Sequence, residues 1–325
     1  MKNRKWLVYG LLFVGVLMAY IKTVPAKAAT PVEKWGRLKV SGTNIVSEGG
    51  KKVQLKGVST HGIAWFPQYV NKSCFKSFKK MGVNTIRLAF YSDPGSGYST
   101  SLYKKLDEGI LYATELGMYV IVDWHILSDG NPKTHQKQAL KFFTRFAKKY
   151  GKQNNILYEI CNEPNGDVTW ARDIKPYANK VIKRIRKYDK RNIVIVGTPT
   201  WSQDVDVVAK SPLKQKNIVY ALHFYAATHK DDLRNKVRTA YQSGLPMLVS
   251  EFSICDASGN GAIDKKSASK WMKLLKQYKI GYVAWNISNK NETSALIKSG
   301  CQKTGGFTRG NLSKSGKWIA NWWKK

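Results

Sequence analysis

Eight short apolar runs, each followed by an amphipathic stretch, constrain the fold of this 325-residue chain most strongly. The runs are residues 53–59, 84–90, 119–125, 156–163, 192–198, 218–225, 246–252 and 281–287. Each run is apolar on both faces rather than alternating, as expected of parallel strands that are buried on both sides. The runs therefore predict a parallel sheet whose strands are joined by helices.

The stretches between the runs predict those helices, because their apolar residues recur every three to four positions and several stop at glycine. They are residues 72–81, 101–117, 135–151, 174–188, 203–209, 233–244, 267–278 and 315–323. Repeated βα units in a single chain of this size predict one α/β domain, a closed (β/α)₈ TIM barrel. A doubly wound open sheet is the alternative, but no glycine-rich phosphate loop follows an early run.

The N-terminal segment predicts a secretory signal. Residues 1–5 are basic, residues 6–21 are apolar, and residues 26–28 fit a small-residue cleavage site. The apolar stretch is short for a membrane span, which needs roughly 20 residues. We therefore expect a signal peptide at 1–28 and a secreted, extracellular catalytic domain at 29–325, with no membrane association after cleavage. A retained N-terminal anchor is the alternative.

Residues 36–55 predict a small hairpin, with Glu48–Lys51 as its turn, that caps the N-terminal end of the barrel. Four cysteines are present, Cys74, Cys161, Cys255 and Cys301. Their positions show neither CxxC pairing nor the spacing of metal ligands. We therefore expect cysteines that are free or only partly paired, and no metal site.

The chain is strongly basic, with a formal net charge of +34 from 55 Lys and Arg against 21 Asp and Glu. Such a field attracts polyanions. The cations are spread along the chain, however, and no nucleic-acid-binding motif is present. We expect a monomer with a lysine-rich, solvated surface and no nucleic-acid partner. Electrostatic association with an anionic cell wall or matrix is the alternative.

Two glutamates lie near the C-terminal ends of the apolar runs, where the chemistry of a (β/α)₈ barrel is placed. They are Glu163, in the stretch YEICNEPNG (158–166), and Glu251. Two facing carboxylates favour glycoside hydrolysis, in which one protonates the leaving oxygen and the other attacks the anomeric carbon. A pair about 5–5.5 Å apart would retain the anomeric configuration. Glu159 lies deeper in the same run, and we interpret it as structural.

Polar residues at other strand ends can support these glutamates. Asn162 can hydrogen-bond the sugar hydroxyl next to the reacting carbon. Arg87 can pair with Glu251, and Tyr225 can donate a hydrogen bond to the same carboxylate. Each of these residues taken alone also fits a purely structural role.

Histidines and tryptophans at the strand ends extend the same pattern. His125 and His223 can position a sugar and influence Glu163. Trp201 and Trp285 can provide flat faces for glucose rings, because aromatic side chains combine large apolar surfaces with polar edges. Each has a structural alternative, but three of the five histidines of the chain fall at strand ends.

An ordered set of stretches carries a family resemblance. In chain order they are STHGIAWF (59–66), NTIRLAFY (84–91), VDWHILSDGNP (122–132), YEICNEPNG (158–166), IVGTPTWSQDVD (195–206), ALHFYAATHK (221–230), DASGNGAID (256–264) and AWNISNKNETSALI (284–297). With these, the chain resembles the secreted bacterial endo-β-1,4-glucanases, or cellulases, of glycoside hydrolase family 5, subfamily 2. The Asn-Glu-Pro motif alone is shared by several related retaining families, whereas the ordered set is highly specific.

The resemblance implies residue roles. It implies a (β/α)₈ barrel with Glu163 as acid/base and Glu251 as nucleophile, acting on cellulose or soluble β-glucan without a cofactor. It places in the core of the site Arg87, His125, Asn162, His223 and Tyr225. The positions that match glucan-contacting residues, or lie in the matching stretches beside the cleft, are His61, Trp65, Tyr91, Trp201, Trp285, Lys290 and Glu292. Trp65 is expected at a more distant subsite.

The chain departs from the family pattern beside the predicted nucleophile. The family usually has Thr-Glu-Trp-Gly, whereas this chain has the stretch 250–253, Ser-Glu-Phe-Ser. Before the last strand the family tends to have Ser-Trp, where this chain has Gly281 and Tyr282. We expect the first change to reshape the adjacent subsite. A mannanase, a xylanase, a mixed-linkage glucanase, a non-catalytic polysaccharide-binding protein and a cationic adhesin remain alternatives.

Overall fold

The computed structural model of the chain describes residues 28–325. The predicted signal peptide, apart from its last residue, therefore lies outside the described residues. No helix among residues 28–325 is long and apolar enough to cross a membrane.

Eight parallel strands close into a barrel, preceded by a two-stranded antiparallel hairpin. The strands are β1 (Lys39–Ser41), β2 (Asn44–Val46), β3 (Lys56–Thr60), β4 (Thr85–Tyr91), β5 (Tyr119–His125), β6 (Ile156–Glu159), β7 (Val194–Val196), β8 (Ile218–Tyr225), β9 (Met247–Ser253) and β10 (Gly281–Ile287). Strands β3 to β10 pair in chain order, and β10 pairs with β3 to close the sheet. This confirms the predicted (β/α)₈ barrel.

Amphipathic helices surround the barrel. They are α1 (Pro31–Trp35), α2 (Lys72–Lys80), α3 (Tyr103–Glu115), α4 (Gln136–Tyr150), α5 (Lys175–Arg186), α6 (Pro199–Ser202), α7 (Val205–Ala209), α8 (Asp231–Gln242), α9 (Lys265–Tyr278) and α10 (Lys314–Trp323). The short α6 is a tight turn rather than a regular helix, because residues 200–202 have left-handed backbone angles. Helix α4 shows the pattern that forms them: Phe142, Phe143 and Phe146 are buried, and Lys148 and Lys149 are exposed. A one-sided apolar stripe of this kind packs a helix onto a sheet.

The barrel interior is filled at its N-terminal end, where Tyr119, Ile121 and Leu157 form one apolar cluster with neighbouring strand residues. Leu38 and Ile45 of the hairpin segment belong to the same cluster. The hairpin therefore caps the bottom of the barrel, as predicted, and leaves the C-terminal mouth open for the site.

The predicted turn at Glu48–Lys51 is present, but it is not the turn that joins the two strands of the hairpin. Strands β1 and β2 are joined at Gly42, which has a φ of +55°, and Glu48–Lys51 forms a second turn that leads to a single bridge between Val46 and Lys52. Both segments contain glycine in the left-handed region, so both could form a turn. Because β1 pairs with β2 up to Ser41 and Asn44, the turn at Gly42 is the one that joins the two strands.

Strand β6 ends at Glu159, earlier than the predicted 163. The backbone N–H groups of Asn162 and Glu163 donate to carbonyls of the segment around the end of β5, at Trp124 and Ile126, each at 3.3 Å. The chain that carries Glu163 therefore leaves the regular ladder and bends over the barrel mouth.

All four cysteines are free, and Cys74, Cys161 and Cys255 are buried. Burial raises the pKa of the Cys255 thiol to about 11, so it stays protonated at neutral pH. These thiols behave as small apolar groups of the core.

Candidate functional site

Glu163 and Glu251 meet at the C-terminal mouth of the barrel. One carboxylate oxygen of each, together with one ring nitrogen of His223, lie within 4.8 Å of one another. Both glutamates are largely buried, at 8% and 4% exposure. Carboxyl groups about 5–5.5 Å apart are the arrangement of retaining glycosidases, whereas inverting enzymes hold them roughly 6.5–9.5 Å apart. The geometry therefore fits direct attack by one carboxylate.

The Glu251 carboxylate is held at both oxygens. The Tyr225 hydroxyl donates to Oε1 at 2.7 Å, and Arg87 Nη1 donates to Oε2 at 3.2 Å. These are the two partners predicted from the sequence. Because both oxygens are bound by side chains that are themselves buried or packed, the carboxylate has a fixed orientation in the mouth.

Arg87 is the centre of a buried charge network beneath the mouth. Its guanidinium contacts Glu159 at 2.7 Å, Asp123 at 3.1 Å and the Asn162 side-chain oxygen at 2.6 Å. Burial alone would raise the pKa of Glu159, but Arg87 lowers it to about 2. Glu159 is thus an ion-pair partner of Arg87, in agreement with its structural interpretation.

Glu163 is paired with His223, which in turn contacts Ser250. His223 Nδ1 lies 2.9 Å from Glu163 Oε1, and Nε2 lies 2.9 Å from Ser250 Oγ. Burial lowers the pKa of His223, but the nearby carboxylates of Glu159 and Glu163 raise it to about 9. At neutral pH the ring therefore carries a proton on each nitrogen and donates to both partners.

His125 belongs to a different set of contacts. Its Nδ1 lies 2.7 Å from Asp123 Oδ2, and its Nε2 accepts from Asn162 Nδ2 at 3.2 Å. Burial and the positive charge of Arg87 lower the pKa of His125 to about 3, so the ring is neutral. The expected influence of His125 on Glu163 does not take the form of a direct contact, because both ring nitrogens are occupied by other partners.

A cleft of about 620 Å³ opens above the glutamates. Its lining includes the predicted residues His61, Trp65, Tyr91, His125, Trp201, His223, Tyr225, Trp285, Lys290 and Glu292. Arg87 and Asn162 are completely buried and lie outside this lining. They are enclosed by the ion-pair network and hold the lining residues in place, and their assignment as substrate-binding residues stays a prediction.

Exposed aromatic rings give the cleft its shape. Trp65 is 52% exposed and stacks on Tyr91 at 6.0 Å, whereas Trp201 is 46% exposed. Large rings left in water within a cleft are suited to stack on the apolar faces of sugars. Trp285 lies deeper, against His61 and His125, each at 5.3 Å.

The turn that carries Trp201 has an unusual backbone. Thr200, Trp201 and Ser202 all have φ values between +53° and +57°, in the left-handed region that residues with a side chain rarely adopt. The Trp201 N–H donates to the Pro164 carbonyl at 2.9 Å, and Ser202 Oγ donates to the Asn162 carbonyl at 2.6 Å. These bonds hold the strained turn against the segment that carries Glu163.

A second charged pair, Lys290 and Glu292, lines another part of the cleft. Lys290 Nζ contacts Glu292 Oε2 at 2.6 Å, and Glu292 Oε1 accepts from Asn286 and Ser294. Burial raises the pKa of Glu292, but the Lys290 ammonium and these hydrogen bonds lower it overall. Glu292 is therefore a fixed anion that can accept hydrogen bonds from sugar hydroxyls.

Phe252 does not line the cleft, so its side chain is not the source of the reshaped subsite expected from the altered flank. Its side chain is fully buried and packs on Phe224 at 5.1 Å and on Tyr282 at 5.8 Å. Neighbouring residues of a strand point to opposite faces, so Phe252 faces the helices while Glu251 faces the mouth. The two departures from the family pattern, at 252 and 282, thus pack against each other in the outer core.

The sequence reasoning missed Asp123 and Ser250 as part of the site. Asp123 lies two residues before His125 on the same strand and therefore on the same face, a signal that was available in the sequence. Ser250 immediately precedes Glu251, and only the three-dimensional structure shows that its hydroxyl reaches His223.

Glu163, His223 and Glu251 offer enough donor atoms to hold a metal ion. The nitrogen and oxygen atoms that would bind the metal, however, already form hydrogen bonds. Glu163 contacts His223, His223 also contacts Ser250, and Glu251 contacts Tyr225 and Arg87. The positive charge of Arg87 next to Glu251 also opposes a second cation. A site without metal therefore stays the prediction.

Comparisons with known proteins all find cellulases or endoglucanases as similar proteins. The sequence profile of the cellulases, glycosyl hydrolase family 5, matches residues 46–291. The chain is 44% identical over 318 residues to an endoglucanase of Clostridium saccharobutylicum, covering 96% of this chain and 71% of that protein. It is also 44% identical over 297 residues to endoglucanase N of Pectobacterium atrosepticum, covering 90% and 67%. The catalytic domain of Thermobifida fusca endoglucanase Cel5A, solved with cellotetraose, has a TM-score of 0.87 at 37% identity, over 91% of this chain and 100% of that one.

Proposed function

The chain belongs to the cellulases of glycosyl hydrolase family 5, and from this premise we propose that Glu163 and Glu251 perform its chemistry. The protein is an endo-β-1,4-glucanase, a glycoside hydrolase that cleaves internal bonds of β-glucans. The family and the activity expected from the sequence are thus confirmed, whereas the assignment to subfamily 2 stays a prediction. The observation that carries the residue assignment is the close approach of the two carboxylates.

In the first step, Glu251 attacks the anomeric carbon while Glu163 donates a proton to the leaving glycosidic oxygen. A carbon–oxygen bond to Glu251 forms as the bond to the leaving oxygen breaks. Tyr225 and Arg87 support this role for Glu251, because each binds one carboxylate oxygen and fixes the direction of attack. His223 orients the Glu163 carboxyl group by its contact with Oε1.

In the second step, Glu163 acts as a base. It accepts a proton from a water molecule that attacks the same carbon, which releases Glu251 and the sugar with its original configuration. The ester formed with Glu251 carries no negative charge, so an ionised Glu163 no longer faces a second carboxylate. Both steps proceed with side chains and water alone.

We propose that the glucan lies along the cleft on the aromatic rings, with Trp201 and Trp65 at its exposed parts and Trp285 in its depth. Fixed hydrogen-bond acceptors such as Glu292 select the orientation of equatorial hydroxyls. A mannan or xylan would present different hydroxyl patterns to the same residues, so the preference among β-linked polymers is settled by assay.

The test compares wild type with Glu163→Gln and Glu251→Ala on carboxymethyl cellulose, β-mannan and xylan. We expect a rapid fall in viscosity on the cellulose derivative with retained anomeric configuration by NMR, and a loss of at least a thousandfold in each variant. Glu108→Gln, a half-exposed surface glutamate paired with Lys105, is the control and keeps wild-type activity. Full activity in Glu163→Gln, or an inverted product, would refute the assignment.

We also propose that residues 1–28 are removed, that the mature protein acts outside the cell as a monomer, and that it has no nucleic-acid partner. N-terminal sequencing of protein from the culture medium tests the cleavage, with Ala29 expected as the first residue. Static light scattering tests the monomer. Retention on an anionic cell wall at low salt, lost at high salt, tests the electrostatic association.

A further inference from the structure

A second groove, of about 1030 Å³, adjoins the catalytic cleft. Three segments line it: residues 260–265 before and at the start of α9, residues 290–299 after β10, and residues 312–317 at the start of α10. Lys290 and Glu292 line both the groove and the catalytic cleft. The two spaces therefore share a wall, and a polymer held in the cleft lies next to the groove.

The groove is strongly cationic. Its lining includes the five lysines Lys265, Lys290, Lys298, Lys314 and Lys317, and its one carboxylate, Glu292, is paired with Lys290. Among residues 28–325, the remaining four lysines form no salt bridge. Some surface lysines elsewhere do have one, as Lys72 does with Glu115 at 2.6 Å. The groove thus concentrates positive charge that no group of the protein neutralises.

The wall of the groove is rigid. The Ser313 N–H donates to the Leu296 carbonyl at 2.9 Å, and the Lys298 N–H donates to Asn311 at 3.0 Å. Gly316 lies so close that an added Cβ would stand 2.2 Å from the Leu296 oxygen. The N-terminus of α10, a helix of ten residues, opens into the same space and adds partial positive charge. The lysines are therefore carried on a fixed frame that need not be ordered when a ligand binds.

We propose that this groove binds carboxylate groups of an acidic polysaccharide whose β-glucan backbone occupies the cleft. Lysine ammonium groups are flexible point charges, suited to anionic groups spaced irregularly along a polymer, whereas bidentate recognition of one fixed carboxylate would favour arginine. The inference rests on the proposed function, because it takes the backbone as substrate and adds the groove as a charged extension.

The test compares carboxymethyl cellulose with neutral hydroxyethyl cellulose for wild type and for Lys298→Ala/Lys314→Ala. At low ionic strength we expect KM for the anionic polymer to rise about fivefold in the variant, since two exposed charge contacts are lost. KM for the neutral polymer stays unchanged, and 0.5 M NaCl, at about 4 Å Debye length, removes the difference. Lys183→Ala/Lys187→Ala, at the C-terminal end of α5 and the residue after it, removes the same charge from exposed positions elsewhere and matches wild type on both polymers.

Equal changes in KM on both polymers, or an equal effect of the α5 control, would overturn the proposal. A binding measurement separates it from the proposed catalytic function. In native gels cast with either polymer, the inactive Glu251→Ala protein is expected to be retarded more by carboxymethyl cellulose than its Lys298→Ala/Lys314→Ala derivative. Equal retardation of the two proteins would refute the groove even if hydrolysis proceeds as proposed. A wild type without hydrolytic activity would refute the function and leave this binding result to decide the groove.

Discussion

His223 couples the predicted acid/base to the buried charges below it, and its replacement by asparagine tests that coupling. The ring contacts Glu163 at 2.9 Å and is 2% exposed. Its pKa is raised from 6.5 to about 9 because Glu159 and Glu163 outweigh the effect of burial. A difference of this size corresponds to about 3 kcal/mol of folding free energy, at 1.36 kcal/mol per pKa unit.

The sign of the effect follows from proton binding. A histidine whose pKa is raised by folding stabilises the native state fully below its unfolded pKa of 6.5, and this contribution is lost as the pH rises through about 9. The unfolding free energy of wild type should therefore exceed that of His223→Asn by about 3 kcal/mol more at pH 6 than at pH 10.

Urea unfolding followed by tryptophan fluorescence, at pH values from 6 to 10, measures this difference. The change with pH in the difference between the two unfolding free energies isolates the contribution of ionisation, because the contribution of lost packing is the same at every pH. Lys183→Ala serves as the surface control and should follow wild type throughout. If the difference in unfolding free energy is constant, or increases toward pH 10, then His223 is not held protonated by the carboxylates.

Four further outcomes are expected. Tyr225→Phe should lower kcat/KM about 10- to 100-fold with little change in stability, because Glu251 loses one charge-assisted hydrogen bond, and steady-state kinetics measure it. Gly197→Ala should destabilise the fold by about 1–3 kcal/mol in thermal unfolding, since the added Cβ would lie 2.2 Å from the Cys161 carbonyl oxygen. Gly300→Ala should be close to neutral, because an added Cβ would have no atom within 4 Å beyond its own chain neighbours. Dialysis against EDTA should leave the hydrolysis rate unchanged.

The sequence predicted the barrel because the signal for it is local. A run that is apolar on both faces, such as 119–125, needs no partner to be recognised as a buried strand, and its bounds were confirmed. The ends of 156–163 were less accurate, because the bend before Pro164 depends on carbonyls of a different segment. Strand ends that are set by hydrogen bonds to distant segments are difficult to predict from the sequence.

The sequence indicates which residues lie at the barrel mouth better than it indicates which of them contact one another. Glu251 and Tyr225 could be paired from their positions at strand ends, and the structure brings them together. Phe252 follows Glu251 directly in the sequence, but strand alternation places its side chain on the other face of the strand, away from the cleft. The lysine groove was hidden because Lys265, Lys298 and Lys314 come from three separate segments that only the fold unites.

The turn at 200–202 has a consequence for how this protein can change over generations. The ring of Trp201 stands on a turn whose backbone is bonded to Asn162 and Pro164, on either side of Glu163. Trp201 and Glu163 are therefore structurally coupled. We expect a recombination event that replaced the turn alone to displace Glu163. The segment that carries Lys290 has no such tie to Glu163 among its contacts in residues 28–325. We expect new polymer preferences to arise there first, since recombination at that edge of the cleft leaves the reacting pair intact.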